Sequence, residues 1–194
     1  MTNGPPPDLE QESLAHDAVG VSVQVRELTA TDMSAFRILR AEALRAHPEA
    51  FIPGPDEGRS RLLTTMTLRV RNHWMMNGSF LLGAFRENHL VGAVGVLRGV
   101  RAKQRHTALV WMLYTEPQVR GQGIARTLLL AAIDRCRRDP DLELLRLSVG
   151  NESQAARQLY TSLGFEVYGR EPRALKLADR YVDILLMTLD VDTG

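Results

Sequence analysis

The stretch EPQVRGQGIARTLLLAAIDR, residues Glu116 to Arg135, decides how the chain is read. Gly121 and Gly123 stand two apart between Arg120 and Arg126, directly ahead of an apolar run. A strand that ends, a sharp turn and a helix that begins leave the first helical amides without carbonyl partners inside the helix. Those N–H groups point together and carry the positive end of the helix dipole, which suits a phosphate. Glycine at 121 and 123 lets the backbone approach such a group closely, where a Cβ would intrude. The plain alternative is a glycine-rich loop ahead of a core helix. Two kinds of phosphate loop fail on spacing. A triphosphate loop needs four residues between its glycines and then Gly-Lys-Ser/Thr, and no lysine follows Gly123. The dinucleotide fingerprint needs a third glycine where Arg126 stands, for close helix–strand packing, and it opens its fold instead of arriving past mid-chain.

Downstream, DLELLRLSVG (Asp141–Gly150) reads as a strand and NESQAARQLYTSLG (Asn151–Gly164) as a helix. Asn151 is the expected N-cap, with Gln154 at the capping-box position. Ala155, Ala156, Leu159, Tyr160 and Leu163 form the apolar stripe, and Gly164 supplies the left-handed residue that ends the helix. FEVYG (Phe165–Gly169) follows as a short strand, GREPRALKLADRY as a loop of mixed charge, and YVDILLMTLDV (Tyr181–Val191) as the last strand.

Upstream, HTALVWMLYT (His106–Thr115) is too continuously apolar to have a wet face, so a central strand is expected. GSFLLGAFRENHLVGAVGVLRGV (Gly78–Val100) reads as a hairpin around Glu87-Asn88-His89. VSVQVREL (Val21–Leu28) alternates, with Val21, Val23 and Val25 on one side. Thr31 or Asp32 is expected to cap a helix through Met33–Ala46, whose stripe is Phe36, Leu39, Ala43 and Leu44. Three prolines and two glycines in HPEAFIPGPDEG (His47–Gly58) break that helix, and a second is expected over about 59–75. The order β-α-α-β-β-β-α-β-α-β-β predicts an α/β domain with a mixed sheet. One right-handed parallel crossover sits within an antiparallel meander.

Composition narrows the class. A length of 194 residues suits one domain, here 21–194, behind a polar tail at 1–20 that contains GPPP and is expected to be disordered. A formal net charge of +1 provides no global field for nucleic acid or an anionic membrane. No run approaches the roughly 20 apolar residues of a membrane span, and the N-terminus lacks an apolar signal core. The single cysteine, Cys136, excludes an intrachain disulfide and fits a reducing compartment, so a cytoplasmic location is expected. The five histidines have no metal-ligand spacing, so no metal is expected.

The run Arg120-Gly121-Gln122-Gly123-Ile124-Ala125 resembles the acetyl-coenzyme A loop, Arg/Gln-x-x-Gly-x-Gly/Ala, of the GNAT superfamily of N-acetyltransferases. Asn151, Ala155, Tyr160, Gly164 and Phe165, one strand later, resemble its second signature, and the element order over about 21–191 is that family's order. The resemblance implies a GNAT fold of about seven mostly antiparallel strands and about four helices. The fourth and fifth strands are parallel and splay apart. It also implies direct transfer of an acetyl group from acetyl-CoA to a primary amine of a small molecule or protein.

Carried over by residue, the backbone of Leu113, Tyr114 and Thr115 is expected along the pantetheine arm, with the Leu113 N–H facing the thioester oxygen. The amides of Arg120 to Ala125 take the pyrophosphate, with charge added by Arg120 and Arg126. Asn151 hydrogen-bonds the cofactor, and Tyr160 protonates the departing thiolate. The acidic base that some members carry early in the fourth strand is missing. His106 is the weak candidate there, Glu116 is poorly placed, and a water chain through backbone groups is the stronger expectation. The acceptor site is expected between the first two helices, the last hairpin loop and the open end of the fourth strand, with Phe51, Trp74 and Trp111 as walls. Many members are dimers, so a homodimer is compatible. The rival reading is an acetyl-CoA-binding sensor or scaffold with little catalysis, which the missing acidic base leaves room for.

Overall fold

The structure is a computed structural model that describes residues 22–50 and 78–192. The expected tail at 1–20, the helix over 59–75, Phe51 and Trp74 lie outside those residues. The strands are β1 (Gln24–Glu27), β2 (Phe80–Arg86), β3 (His89–Arg98), β4 (Thr107–Thr115), β5 (Leu144–Gly150), β6 (Glu166–Lys176) and β7 (Tyr181–Asp190). They form a seven-stranded sheet in the order β1-β2-β3-β4-β5-β7-β6, in which β4 and β5 alone are parallel. The described helices are α1 (Met33–Ala46), α2 (Ile124–Arg137) and α3 (Gln154–Ser162).

The hairpin of β2 and β3 turns on two residues, Glu87 and Asn88, both at positive φ (48° and 66°). That pair of left-handed residues matches strand twist, and His89 belongs to β3, one residue earlier than the sequence suggests. β6 is the larger correction. It runs for 11 residues through most of the segment read as a loop, and Leu177 and Arg180 close the tight turn to β7. Its charged composition hides it: as an edge strand paired only to β7 it is exposed along most of its length, so no apolar alternation marks it.

Two layers of side chains enclose the sheet. α2 lays Leu128, Leu129, Ala132, Ile133 and Cys136 on one face, against Leu82, Ala84, Val94, Val96, Val110 and Leu145. α1 covers the other face with Phe36, Leu39 and Ala43 against Leu81, Phe85, Ala93, Met112 and Tyr114. Asp32 tethers the start of α1: it takes hydrogen bonds from the Thr29 N–H and hydroxyl (2.8 Å each) and pairs through both oxygens with Arg26 (2.8 Å). The Arg26 guanidinium and the Thr29 bonds hold the Asp32 carboxyl well below the usual range. Asp32 is the N-cap residue of α1, as expected, but its side chain caps the preceding 3-10 turn at Ala30–Asp32 instead of α1 itself.

Burial pushes the Cys136 thiol up to about 12. The thiolate is the reactive form, so alkylation by iodoacetamide at pH 8 is expected to be at least ~100-fold slower in the native protein than after unfolding in urea. Equal rates would show that α2 does not seal its inner face.

Candidate active site

β4 and β5 pair only through Thr107–Leu144, Ala108–Leu145 and Leu109–Arg146. Beyond these the strands run on to Thr115 and Gly150 without pairing to each other, which opens a gap in mid-sheet. A bulge in β4 sharpens that opening. Two steps of β3, Ala93 to Gly95, face three of β4, Tyr114 to Trp111, and Met112 sits at φ 56°. An extra residue exchanges the two faces of a strand. Ala108 and Val110 accordingly face α2, whereas Met112 and Tyr114 face α1. The continuous apolar run of β4 is thus two half-strands of opposite phase, and Leu109, 44% exposed, contradicts the expectation of a wholly dry strand. A non-glycine residue at positive φ is costly and persists where surrounding structure fixes it. Here it falls directly before Leu113, beyond the last residue of β4 that pairs with β5.

After β4 the chain makes one 3-10 turn at Pro117–Val119 and enters the loop. Gly121 and Gly123 have φ 74° and 77°, and Gly123 is the residue on which α2 starts. A Cβ built on either would meet nothing within 4 Å, so the space above them is open. The first helical bond runs from the Thr127 N–H to the Gly123 carbonyl at 3.0 Å. The amides of Ile124, Ala125 and Arg126 therefore have no acceptor within the helix. Gln122 pins the loop from below: its Oε1 accepts from Arg86 and its Nε2 donates to the Gln118 carbonyl at 3.3 Å.

The arginines do not crowd the amides. Arg126, exposed, donates to the Ser162 hydroxyl at 2.7 Å and bridges to the end of α3, so it does not obstruct packing there. Arg120 turns away, donating to the Thr115 carbonyl (3.4 Å) and to His47 Nε2 (3.0 Å), with its guanidinium 5.6 Å from the Tyr114 ring centre.

α3 stands on the other side of the gap. Its N-cap is Ser153, not Asn151. The Asn151 main chain instead continues the β5–β7 ladder, donating to the Asp183 carbonyl at 2.8 Å, and its carbonyl accepts from Arg157 at 3.2 Å. The Asn151 side chain has no hydrogen-bond partner among the described residues. The helix ends as expected: Gly164 at φ 92°, with Phe165 N–H to Tyr160 carbonyl (3.1 Å) and Gly164 N–H to Thr161 carbonyl (3.0 Å), the paired bonds of a Schellman end. Of the predicted stripe only Tyr160 is fully buried, edge-on to Phe165 at 5.9 Å, while Ala155 is exposed. Burial pushes the Tyr160 phenol up to about 12.

His106 is not brought to this place. It precedes β4 at the paired end, where its carbonyl accepts the Glu143 and Leu144 N–H groups at 2.9 and 3.0 Å. It lies seven residue steps from Leu113, roughly 23 Å at the usual rise. Glu116 is held by His89 at 3.0 Å, outside the gap.

The face toward α1 carries groups that sequence reasoning did not single out. The Tyr114 hydroxyl donates to Glu42 at 3.0 Å, and burial with that carboxylate raises its pKa. His47 sits between Glu49 (Nδ1, 3.1 Å) and Arg120, and the Glu49 carbonyl lies 3.7 Å from where a Cβ on Gly150 would stand. Arg180, in the β6–β7 turn, pairs with Glu152 just after β5. The end of α1, the end of β5 and the last hairpin turn thus meet around the mouth of the gap. Trp111 packs there edge-on to Phe36 at 6.4 Å. Among the described residues no group of His, Cys, Asp and Glu is arranged to hold a metal, and no helix is long and apolar enough to cross a membrane.

Comparison with known proteins matches this architecture. The model of the acetyltransferase (GNAT) family matches residues 41–165. A mycothiol acetyltransferase of Brachybacterium faecium is 32% identical over 126 residues, covering 63% of this chain and 36% of that protein. The L-amino acid N-acyltransferase MnaT of Escherichia coli is 32% identical over 88 residues, 45% of this chain and 50% of that protein. The chain therefore spans half or less of the length of these relatives. Among solved structures, the putative acetyltransferase yncA of Salmonella typhimurium, determined with its cofactor acetyl-CoA, aligns with a TM-score of 0.76 at 22% identity. That alignment covers 89% of this chain and 95% of that one.

Proposed function

Since this chain belongs to the GNAT acetyltransferase family, we propose that it transfers the acetyl group of acetyl-CoA directly to a primary amine. The observation that carries this reading is the conjunction of an open-topped glycine loop with free amides and a gap between β4 and β5. Acetyl-CoA, when bound, supplies a thioester as the acetyl donor. The loop amides from Gly121 to Arg126 hold its pyrophosphate, aided by the positive end of α2. Arg126 adds charge from the rim. The side-chain amide of Asn151, which has no hydrogen-bond partner among the described residues, would hydrogen-bond the pantetheine arm between the strands. The backbone of Leu113 to Thr115 lines the other wall.

The Leu113 N–H, directly after the bulge at Met112, would face the thioester oxygen, which gains negative charge during attack. Tyr160 donates its hydroxyl hydrogen to the departing sulfur. Its phenol stays protonated throughout the working range, because burial pushes it up to about 12. A group that remains neutral beside a forming thiolate is a donor at every pH the enzyme meets.

No imidazole or carboxylate on β4 reaches the amine, so water in the open mouth takes the amine's proton. The expected pH profile follows from that. Log kcat/KM rises with unit slope until the acceptor's own pKa, about 10 for an alkyl amine. His106→Ala leaves activity within about twofold, the scale of a surface change. A large loss of kcat/KM in His47→Gln with acetyl-CoA affinity unchanged would assign the proton to His47 instead, whose Nδ1 lies 3.1 Å from Glu49.

The names of two relatives, a mycothiol acetyltransferase and an L-amino acid N-acyltransferase, support an acceptor of small size. A panel of small amines, peptide N-termini and lysine peptides, assayed by release of free coenzyme A thiol, tests the reading. One thiol per acetylated amine is expected. Tight binding of acetyl-CoA with no thiol released across the whole panel would mean a sensor rather than an enzyme.

A further inference from the structure

We propose that Arg40 forms a subsite for a carboxylate on the acceptor, so that the amine acetylated belongs to an amino acid or a comparably short amino carboxylate. This rests on the acetyltransferase reading above and names its substrate class. Arg40 lies on the inner stripe of α1 and is only 9% exposed, the only buried arginine among the described residues. It has no anionic partner there. Its Nη1 lies 3.6 Å from the Met112 sulfur, and its guanidinium carbon is 5.5 Å from the Trp111 ring centre. The contrast is internal to the fold, since the part-buried Arg26 and Arg98 both pair with aspartates.

The nearby carboxylates are engaged elsewhere: Glu42 with Tyr114, Glu49 with His47 and Glu152 with Arg180. A buried charge without a counter-ion is costly, and burial alone lowers the Arg40 pKa, with no anion to raise it. Trp111, the neighbouring ring, lays its buried indole N–H over Gly95 of β3, so Arg40 is the group whose charge faces no partner there. A buried guanidinium whose hydrogen-bond partner is a thioether lacks a counter-charge, which a carboxylate would supply.

The location says which anion. Met112 is the bulge residue directly before Leu113, and it faces α1, the side opposite Tyr160. A carboxylate held at Arg40 would therefore leave the amine a few bonds away, at the gap. The guanidinium fork matches a carboxylate with two parallel hydrogen bonds, which an ammonium point charge does not.

The test uses matched pairs in the presence of saturating coenzyme A. N-acetylglycine and N-acetylglycinamide are titrated by calorimetry into the full chain and into Arg40→Met. In parallel, glycine and glycinamide are compared as acceptors, as are phenylalanine and phenethylamine. The acids are expected to bind at least about tenfold more tightly than their amides, the scale of a charge-assisted hydrogen bond. Arg40→Met should abolish that preference, keep acetyl-CoA affinity and melt no lower than the parent. Equal affinity of acid and amide for the unaltered protein would overturn the subsite, whatever the variant does. So would a preference that survives in Arg40→Met. Arg40-dependent binding of N-acetylglycine without any turnover would uphold the subsite and defeat the catalytic reading.

Discussion

Gly123→Val is expected to weaken acetyl-CoA binding by about 100-fold or more while the chain remains folded. The two effects separate because of local geometry. Gly123 sits at φ 77°, where a β-branched residue is strained by roughly 1–2 kcal/mol. A Cβ there meets no protein atom within 4 Å, so packing adds nothing to that cost. The open space is where the phosphates are proposed to lie. A branched side chain in it displaces them from the amides of Ile124 to Arg126. Charge-assisted hydrogen bonds contribute about 1.5–3 kcal/mol each, and every 1.4 kcal/mol is about tenfold, so loss of one or two accounts for the figure. Calorimetric titration with a parallel melting curve checks both parts. A large fall in melting temperature with unchanged affinity would locate the pyrophosphate elsewhere.

Tyr160→Phe should lower kcat by about 100-fold, in the range of a lost general acid, with little change in KM for acetyl-CoA. The hydroxyl is all that is removed, and the ring contact with Phe165 survives. The pH dependence gives a second readout. Burial moves this phenol from 10 up to about 12 in the folded chain. Because the folded pKa lies above the unfolded one, the associated stability is fully present below pH 10. It is lost as pH rises from 10 to 12. At about 1.4 kcal/mol per pH unit, the loss amounts to roughly 3 kcal/mol, and the phenylalanine variant should not show it. Over the working range the rate should carry no limb from Tyr160. Turnover within twofold of the parent would remove the residue from the chemistry and leave it as packing.

The two glycines, the apolar phase of α1 and the Gly164 helix end were legible because each is a local requirement. A left-handed turn, a 3.6-residue stripe and a C-terminal glycine are written in neighbouring residues. The parallel pair inside a mixed sheet followed from element order alone. What escaped is non-local. The β4 bulge has no sequence mark, since an apolar run reads the same in either phase. β6 was cut short because an exposed edge strand has no buried face to announce it. Asn151 resembles a cap by type and position, yet the β5–β7 ladder claims its backbone and moves the helix start to Gln154. His106 looked near in sequence and lies at the far end of a strand. Arg40 carries no mark in the sequence that sets it apart from the other polar residues of an amphipathic helix, and only the packing of α1 reveals it on the inner stripe among Phe36, Leu39 and Ala43.

Amide chemical-shift mapping during titration with coenzyme A asks directly where the coenzyme's phosphates sit. The largest shifts are expected at Gly121 to Arg126, with a second group at Leu113 to Thr115 and Asn151. Pantetheine lacking the nucleotide should move only the second group. Shifts confined to other surfaces, with the loop amides unmoved at saturation, would contradict the account.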